Sequence, residues 1–236
     1  MNREPFRFKQ FQINHDRSTM KVGTDGVLLG AWADLENSNS ILDIGTGSGL
    51  IALMAAQRNP SAEIEAVEID SPSCLQANEN ISRSKWKDRI RIYNVGIQDF
   101  DPGKRYETII SNPPFFGKGI KSNNPERNKA RNSGFLTQQD LLEAIDRLMF
   151  PEGSFSLIYP YKEGSILIEL FEKFGLYLAD KMIVRSRKEM KPERLLLKFT
   201  RTNCILQTNE LIIYESNNNQ KQYTFDYISL TKDFYL

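Results

Sequence analysis

Short apolar runs alternate with stretches of helical periodicity through the middle of the chain. Residues 41–44 are apolar apart from one acidic position and end at Gly45, which predicts a buried parallel strand. In residues 49–58 the apolar positions recur with helical spacing. The same patterns predict further strands at 64–69, 89–93, 106–111, 153–159, 176–184 and 194–200, and further helices at 71–83, 137–149 and 163–174.

This alternation, from residue 41 to about residue 175, indicates an α/β fold with a mostly parallel, doubly wound sheet. The strand-rich tail predicts antiparallel edge strands on that sheet. Within the tail, residues 210–214 and 222–228 flank Asn217-Asn218-Asn219, a pattern typical of a hairpin turn. We therefore expect a single compact domain over residues 41–236.

The segment before the first core strand has a different pattern. Residues 5–15 alternate aromatic and polar positions, which predicts a strand or hairpin arm. Residues 23–33 predict a turn followed by a short apolar helix, with Thr24 or Asp25 as its cap. We expect residues 1–40 to form an N-terminal arm or lid over the domain.

Composition narrows the classes of protein that remain. The 236 residues carry a net charge of +1, so any nucleic-acid binding must depend on local clusters of charge. The two cysteines, Cys74 and Cys204, form no CxxC pair, and the single histidine argues against a Ser-His-Asp triad or a His-rich metal site. No apolar run approaches the ~20 residues that span a bilayer. We expect a cytoplasmic, monomeric protein that needs no metal and does not bind membranes.

A glycine loop joins the first core strand to the first core helix. Its residues Gly45, Gly47 and Gly49 let the backbone turn tightly and let a ligand approach. In a doubly wound sheet, this crevice binds nucleotide-like ligands, and Glu68 at the end of the second strand is placed to accept ribose hydroxyls. Asp43 just before the loop suits a ligand with an ammonium group better than a pyrophosphate. The segment therefore favours S-adenosylmethionine over a dinucleotide.

A second motif, Asn112-Pro113-Pro114-Phe115, ends the fourth predicted strand. The prolines remove two backbone donors and fix the path of the chain, which leaves the carbonyl of Pro113 as an acceptor. The side-chain oxygen of Asn112 is a second acceptor, and Phe115 offers a flat face for stacking. These groups suit a planar amide or a base with an exocyclic amine. The motif predicts methylation of such an amine by positioning and hydrogen bonding.

Together the two motifs resemble the class I methyltransferases that act on planar amino groups. The chain is similar over nearly its whole length to the bacterial tRNA(Val) adenine-N6 methyltransferase family. The segments that carry the likeness are Phe8-Lys9-Gln10-Phe11, the run from Met20 to Trp32, the run from Ile41 to Leu50, and Phe234-Tyr235-Leu236.

The resemblance implies a Rossmann-like fold, S-adenosylmethionine as the methyl donor with S-adenosylhomocysteine as product, and tRNA as the substrate. That family modifies the adenosine at position 37, beside the anticodon. The implied cofactor-binding residues are Lys21, Thr24, Asp25, Asp43, Gly45, Gly47, Gly49, Glu68 and, for the adenine, Asp99. The implied catalytic residues around the target base are Asn112, Pro113, Pro114 and Phe115. Phe115 departs from the tyrosine that is frequent in related enzymes, which keeps stacking and removes a phenol hydrogen bond.

Basic residues cluster in two places despite the small net charge. The first cluster, just after the catalytic motif, is Lys118, Lys121, Arg127, Lys129 and Arg131. The second is Lys181, Arg185, Arg187, Lys188, Lys191, Arg194, Lys198 and Arg201. We expect both to contact RNA phosphates.

Three other functions remain open from the sequence. A glutamine-amide (N5) methyltransferase acting on release factors uses the same motif, but it usually carries a separate N-terminal helical domain. An rRNA or DNA amino-methyltransferase is also possible, although no large target-recognition domain is evident. A catalytically idle RNA-binding module would not need Asp43 and Asn112.

Overall fold

The computed structural model describes residues 4–18, 20–113, 136–216 and 222–235. Its strands are β1 (Phe6–Arg7), β2 (Gln12–Ile13), β3 (Ser40–Ile44), β4 (Glu63–Val67), β5 (Ile90–Tyr93), β6 (Tyr106–Ser111), β7 (Met149–Pro160), β8 (Tyr177–Arg185), β9 (Arg194–Thr200) and β10 (Gln207–Ile212). Its α-helices are α1 (Thr24–Trp32), α2 (Leu50–Arg58), α3 (Ser71–Ser82), α4 (Gln138–Leu148), α5 (Tyr161–Lys173) and α6 (Phe225–Thr231). In this part of the chain, no helix is long and apolar enough to cross a membrane.

Eight strands form one sheet in the order β10-β8-β9-β7-β6-β3-β4-β5. The block from β7 to β5 is parallel, and β9 runs antiparallel to both β7 and β8. This confirms the α/β class and the antiparallel strands of the tail. The outermost strand β10 is parallel to β8. The antiparallel strand β9 returns the chain to the end of the sheet at which β8 begins, and β10 starts from that same end.

The sheet is covered on both faces by apolar side chains, as expected when helices flank a parallel sheet. Ile41 belongs to one buried cluster and Leu42 to the other, because neighbouring strand residues point to opposite faces. Helices α1 and α2 contribute to the first cluster, and helices α4 and α5 contribute to the second. The helix α1 of the N-terminal segment is thus packed into the same core as the sheet.

The capping residues of α1, α3 and α6 test three predictions made from the sequence. The predicted cap of α3 is confirmed, since the Asp70 carboxylate accepts the Ser73 amide at 3.0 Å. The predicted cap of α1 is wrong: Gly23 takes the cap position and Thr24 is already helical. The predicted strand over 222–228 is also wrong, because Thr224 caps α6 by accepting the Tyr227 amide at 3.2 Å. Asn217-Asn218-Asn219, the predicted turn, lies outside the described residues.

Candidate active site

A cavity of about 910 Å³ opens at the carboxyl ends of the parallel strands. Its size falls in the usual range for small-molecule and cofactor sites. The glycine loop, Glu68 and Asn112 all line it, and so do Lys21, Thr24 and Asp25 from the N-terminal segment. The glycine loop and Asn112, the first residue of the second motif, therefore share one cavity.

The glycine loop adopts a backbone that favours glycine. The φ angles of Gly45, Gly47 and Gly49 are 70°, 58° and 82°, in the left-handed region. A β-carbon at Gly45 would meet no atom within 4 Å, whereas one at Gly49 would lie 3.3 Å from the β-carbon of Ala77 in α3. Gly45 and Gly47 line the cavity, and Gly49 packs the loop against α3 instead.

Glu68 directly follows β4 and fixes the loop from the side. One carboxylate oxygen, Oε2, accepts the Gly47 amide at 2.8 Å, and the other, Oε1, accepts the Asp70 amide at 2.9 Å. Burial raises the pKa of Glu68, while these two amides lower it. A carboxylate oxygen has more than one lone pair, so this group still has acceptor capacity toward the cavity.

Asp43 lies beneath the loop and is almost fully buried. Its Oδ2 accepts the hydroxyl of Thr46 at 2.6 Å, and its Oδ1 accepts no hydrogen bond of ordinary geometry from the described residues. Burial raises the pKa of Asp43 to about 7, against the lowering effects of the Thr46 hydroxyl and the Ala52 amide. Asp43 is not among the residues that line the cavity, so its predicted role with an ammonium group stays a prediction.

The raised pKa of Asp43 predicts a pH dependence of stability. The native protein holds a proton that the unfolded chain has released, from the ordinary value of 3.8 up to about 7. We therefore expect the free energy of unfolding to fall as pH rises through this window, by up to about 1.4 kcal/mol per pH unit from this group. Chemical denaturation of wild type and Asp43→Asn at several pH values tests this. Equal pH dependence in the two proteins would contradict it.

Asn112 follows β6 and lines the cavity close to helix α1. A β-carbon built at Gly26 would lie 3.9 Å from its Nδ2, which places the amide beside the first turn of α1. Its Oδ1 is buried and has no hydrogen-bond partner among the described residues. A buried acceptor without a partner is costly, and it marks a place where a ligand donor is expected.

The other predicted site residues divide into three groups. Pro113 follows Asn112 and is buried, whereas Pro114 and Phe115 lie outside the described residues. The first basic cluster, Lys118, Lys121, Arg127, Lys129 and Arg131, lies outside them as well. Asp99 is exposed and does not line the cavity, where Gly96, Ile97 and Gln98 form that part of the wall. Its predicted contact with the cofactor adenine stays a prediction.

Two amides on α3 hold the N-terminal segment against the glycine loop, and sequence reasoning missed both. The Nδ2 of Asn80 donates to the Ser48 carbonyl at 2.8 Å and to the Asn14 carbonyl at 2.9 Å. The Oε1 of Gln76 accepts the Ser18 amide at 2.8 Å. The sequence predicts the helix that carries these amides but assigns them no role.

A second wall of the cavity, which the sequence did not predict, lies at the ends of strands β8, β9 and β10. It consists of Val184, Ser186, Glu193, Arg194, Ile213 and Tyr214. The Nε of Arg194 donates to Asp25 Oδ2 at 2.9 Å, which joins this wall to helix α1. In the second basic cluster, other residues also pair with carboxylates: Arg185 with Glu210, Lys198 with Asp34, and Arg201 with Asp146. The carboxylates offset part of the positive charge of this cluster, which leaves fewer unpaired cations for phosphate contacts.

Comparison with known proteins shows the family of this chain. The model of the methyltransferase small domain matches residues 22–174. The tRNA1(Val) (adenine(37)-N6)-methyltransferase of Trichodesmium erythraeum (strain IMS101) is 45% identical over 242 residues, covering 100% of this chain and 99% of that protein. The chain belongs to this methyltransferase family. The protein of the same name from Pseudoalteromonas translucida (strain TAC 125) is 42% identical, with 98% of each chain covered.

Solved methyltransferase structures share the fold. The crystal structure of a predicted O-methyltransferase, protein Atu636 from Agrobacterium tumefaciens, aligns with a TM-score of 0.68 at 17% identity, covering 89% of this chain and 96% of that one. The glycopeptide N-methyltransferase MtfA, solved in complex with S-adenosylmethionine, aligns with a TM-score of 0.55 at 11% identity, covering 77% of this chain and 100% of that one. At these identities the likeness concerns the fold, and it confirms the predicted class I architecture.

Proposed function

We propose that this protein transfers a methyl group from S-adenosylmethionine to the N6 amine of an adenine in tRNA, the adenosine at position 37 of tRNA1(Val). The proteins named for that reaction match this chain from end to end. Within the structure, the observation that carries the proposal is the unpartnered Oδ1 of Asn112 in the cavity that also holds the glycine loop. That oxygen is an acceptor suited to an exocyclic amine.

The glycine-loop side of the cavity fits S-adenosylmethionine. Gly45 leaves open space beside the loop, and the Glu68 carboxylate is fixed where it can accept ribose hydroxyls. When bound, the cofactor supplies an activated methyl group on a sulfonium, which is already a good leaving group. The protein therefore has to position the acceptor amine rather than generate a strong nucleophile.

The Asn112 side is suited to the acceptor amine. A hydrogen bond from the amine to Asn112 Oδ1, with a second to the carbonyl of Pro113, withdraws the nitrogen lone pair from conjugation with the ring. A nitrogen whose lone pair is freed in this way would accept the methyl group that S-adenosylmethionine supplies, and the amine proton that it gives up would pass to water. Fixed acceptors are effective in such a site because they need no reorganisation during the reaction.

We also propose that the enzyme is cytoplasmic and monomeric. Cys74 and Cys204 are free thiols, which suits a reducing compartment. An anticodon loop presents unpaired bases, so the target adenine needs less unstacking than a base inside a duplex.

Methyl transfer to unmodified tRNA, followed by nucleoside analysis, tests this function. We expect label from S-adenosylmethionine to appear in N6-methyladenosine. Label in a protein such as a release factor, with none in tRNA, would instead support glutamine-amide methylation. Label in another modified nucleoside would contradict the assignment to N6.

The first basic cluster, which follows the catalytic motif in the sequence, is expected to contribute phosphate contacts. Changing Arg127, Lys129 and Arg131 together to alanine should weaken tRNA binding and reduce the slope of log Kd against log salt by up to about 0.7–0.9 per lost contact. A salt titration of tRNA binding measures that slope. The matched control changes Lys162, Lys173 and Lys232 to alanine, which removes the same charge elsewhere. Equal slopes for wild type and the triple variant would show that these three cations do not contact phosphates.

A further inference from the structure

The second wall of the cavity ends in a column of stacked tyrosine rings. The ring centroids of Tyr214 and Tyr223 lie 5.1 Å apart with an interplanar angle of 21°, and those of Tyr223 and Tyr227 lie 4.7 Å apart, also at 21°. Tyr235 continues the column at 6.4 Å from Tyr227. Tyr214 is the member of this column that lines the cavity.

The backbone around Tyr214 holds this ring in place. The Tyr214 amide donates to the Ser186 carbonyl at 2.9 Å, and the Ile213 amide donates to the Arg185 carbonyl at 3.0 Å. These bonds extend the parallel pairing of β10 with β8 beyond the ends of the strands. A ring that is fixed at its backbone and backed by another ring loses little conformational entropy when a planar ligand stacks on it.

Position in the sheet separates Tyr214 from the site of methyl transfer. Tyr214 follows β10 and Asn112 follows β6, and the sheet order places three strands between them. At about 4.8 Å per strand this separation is roughly 19 Å along the sheet. That span is longer than one base, so a base held by Asn112 is not the base that reaches Tyr214.

The turn beside the tyrosine column carries more cations than carboxylates, since Glu189 and Glu193 are the acidic residues among its three basic ones. The turn between β8 and β9 contains Arg187, Lys188 and Lys191, and it is flanked by Ser186 and Glu193, which line the cavity. None of these three cations takes part in an ion pair between described residues. Cations next to an aromatic face are a combination that single-stranded nucleic acids bind, with the phosphates contacting the cations and the bases stacking on the ring.

We propose that Tyr214 is a stacking platform for an unpaired base next to the target adenine in the RNA substrate, with Tyr223 and Tyr227 as its support. This inference rests on the proposed function, because it assumes an RNA substrate. The stacked base gives the cavity a second binding position. An RNA loop can fill both positions and an isolated nucleoside only one, so the loop binds more tightly.

Removing the Tyr214 ring should weaken RNA binding and leave the binding of S-adenosylmethionine unchanged. For Tyr214→Ala we expect the KM for a tRNA stem-loop to rise about 10-fold, while the KM for S-adenosylmethionine stays within about twofold. Tyr214→Phe should retain the wild-type KM, because the ring is kept. Phe225→Ala is the matched control, since Phe225 is 78% exposed and belongs to no stacked pair among the described residues.

A fluorescent base tests the position directly. Stem-loops carry 2-aminopurine either next to the target adenine or in its place, and fluorescence is measured with wild type, Tyr214→Ala and Tyr214→Leu. We expect the change at the neighbouring position to be lost in both variants and the change at the target position to remain. Tyr214→Leu keeps an apolar side chain in case the alanine variant does not fold.

Two results would overturn the inference while leaving the proposed function intact. One is that wild type and both variants methylate and bind the stem-loop equally. The other is that only the probe at the target position responds to the loss of Tyr214. A wild-type enzyme that methylates neither tRNA nor stem-loop would instead contradict the proposed function itself.

Discussion

Replacing Asn112 with alanine is expected to lower the rate of methyl transfer about 10²- to 10³-fold, the cost of losing one fixed polar contact to the reacting group. The reason is that Oδ1 is buried in the cavity without a partner among the described residues, so its hydrogen bond is left for the substrate amine. The truncation also removes an unsatisfied buried acceptor, so the stability of the free enzyme should change little or rise.

Single-turnover kinetics with saturating tRNA and S-adenosylmethionine separate this effect from binding. We expect the rate constant to fall while the Kd for S-adenosylmethionine stays within about twofold. The control is Asn209→Ala, which removes an exposed asparagine from β10. If Asn112→Ala retained the wild-type rate constant, Asn112 could not be the acceptor that orients the amine.

Replacing Glu68 with alanine is expected to weaken binding of S-adenosylmethionine about 10- to 100-fold. Hydrogen bonds to a charged group contribute about 1.5–3 kcal/mol, and about 1.4 kcal/mol corresponds to a factor of ten. The carboxylate also holds the Gly47 amide at 2.8 Å, so its loss removes the predicted ribose acceptor and loosens the glycine loop.

Calorimetric titration with S-adenosylmethionine measures this effect without turnover. Glu68→Gln should bind with intermediate affinity, because it keeps one acceptor oxygen. Glu63→Ala is the matched control, since Glu63 is an exposed residue at the start of the same strand. A Kd for Glu68→Ala equal to that of wild type would show that the carboxylate does not contact the cofactor.

The parallel core could be predicted closely because its signals are local. Strand β6 begins at Tyr106 and ends at Ser111 as the apolar run predicts, whereas β4 ends at Val67, two residues before the predicted end, so that Glu68 follows the strand. Because the carboxyl ends of parallel strands meet at one edge, these positions already placed Glu68 and Asn112 near the glycine loop.

The second wall could not be predicted, because it depends on the long-range order of strands. Nothing in the sequence around Tyr214 indicates that β10 lies beside β8 and runs parallel to it. The same holds for Asn80, whose contacts with Ser48 and Asn14 need the helix and the N-terminal segment to be placed first. The structure of residues 222–228 was mispredicted because one threonine, Thr224, caps a helix where the apolar pattern suggested a strand.

We expect this protein to methylate one adenine of one tRNA loop. The most direct measurement compares methyl transfer to two tRNA1(Val) transcripts, one with adenosine at position 37 and one with guanosine there, and identifies the product nucleoside. We expect N6-methyladenosine in the first transcript, none in the second, and product formation from the first transcript that is about 10²- to 10³-fold slower with Asn112→Ala. Equal methylation of the two transcripts by the wild-type enzyme would contradict this expectation.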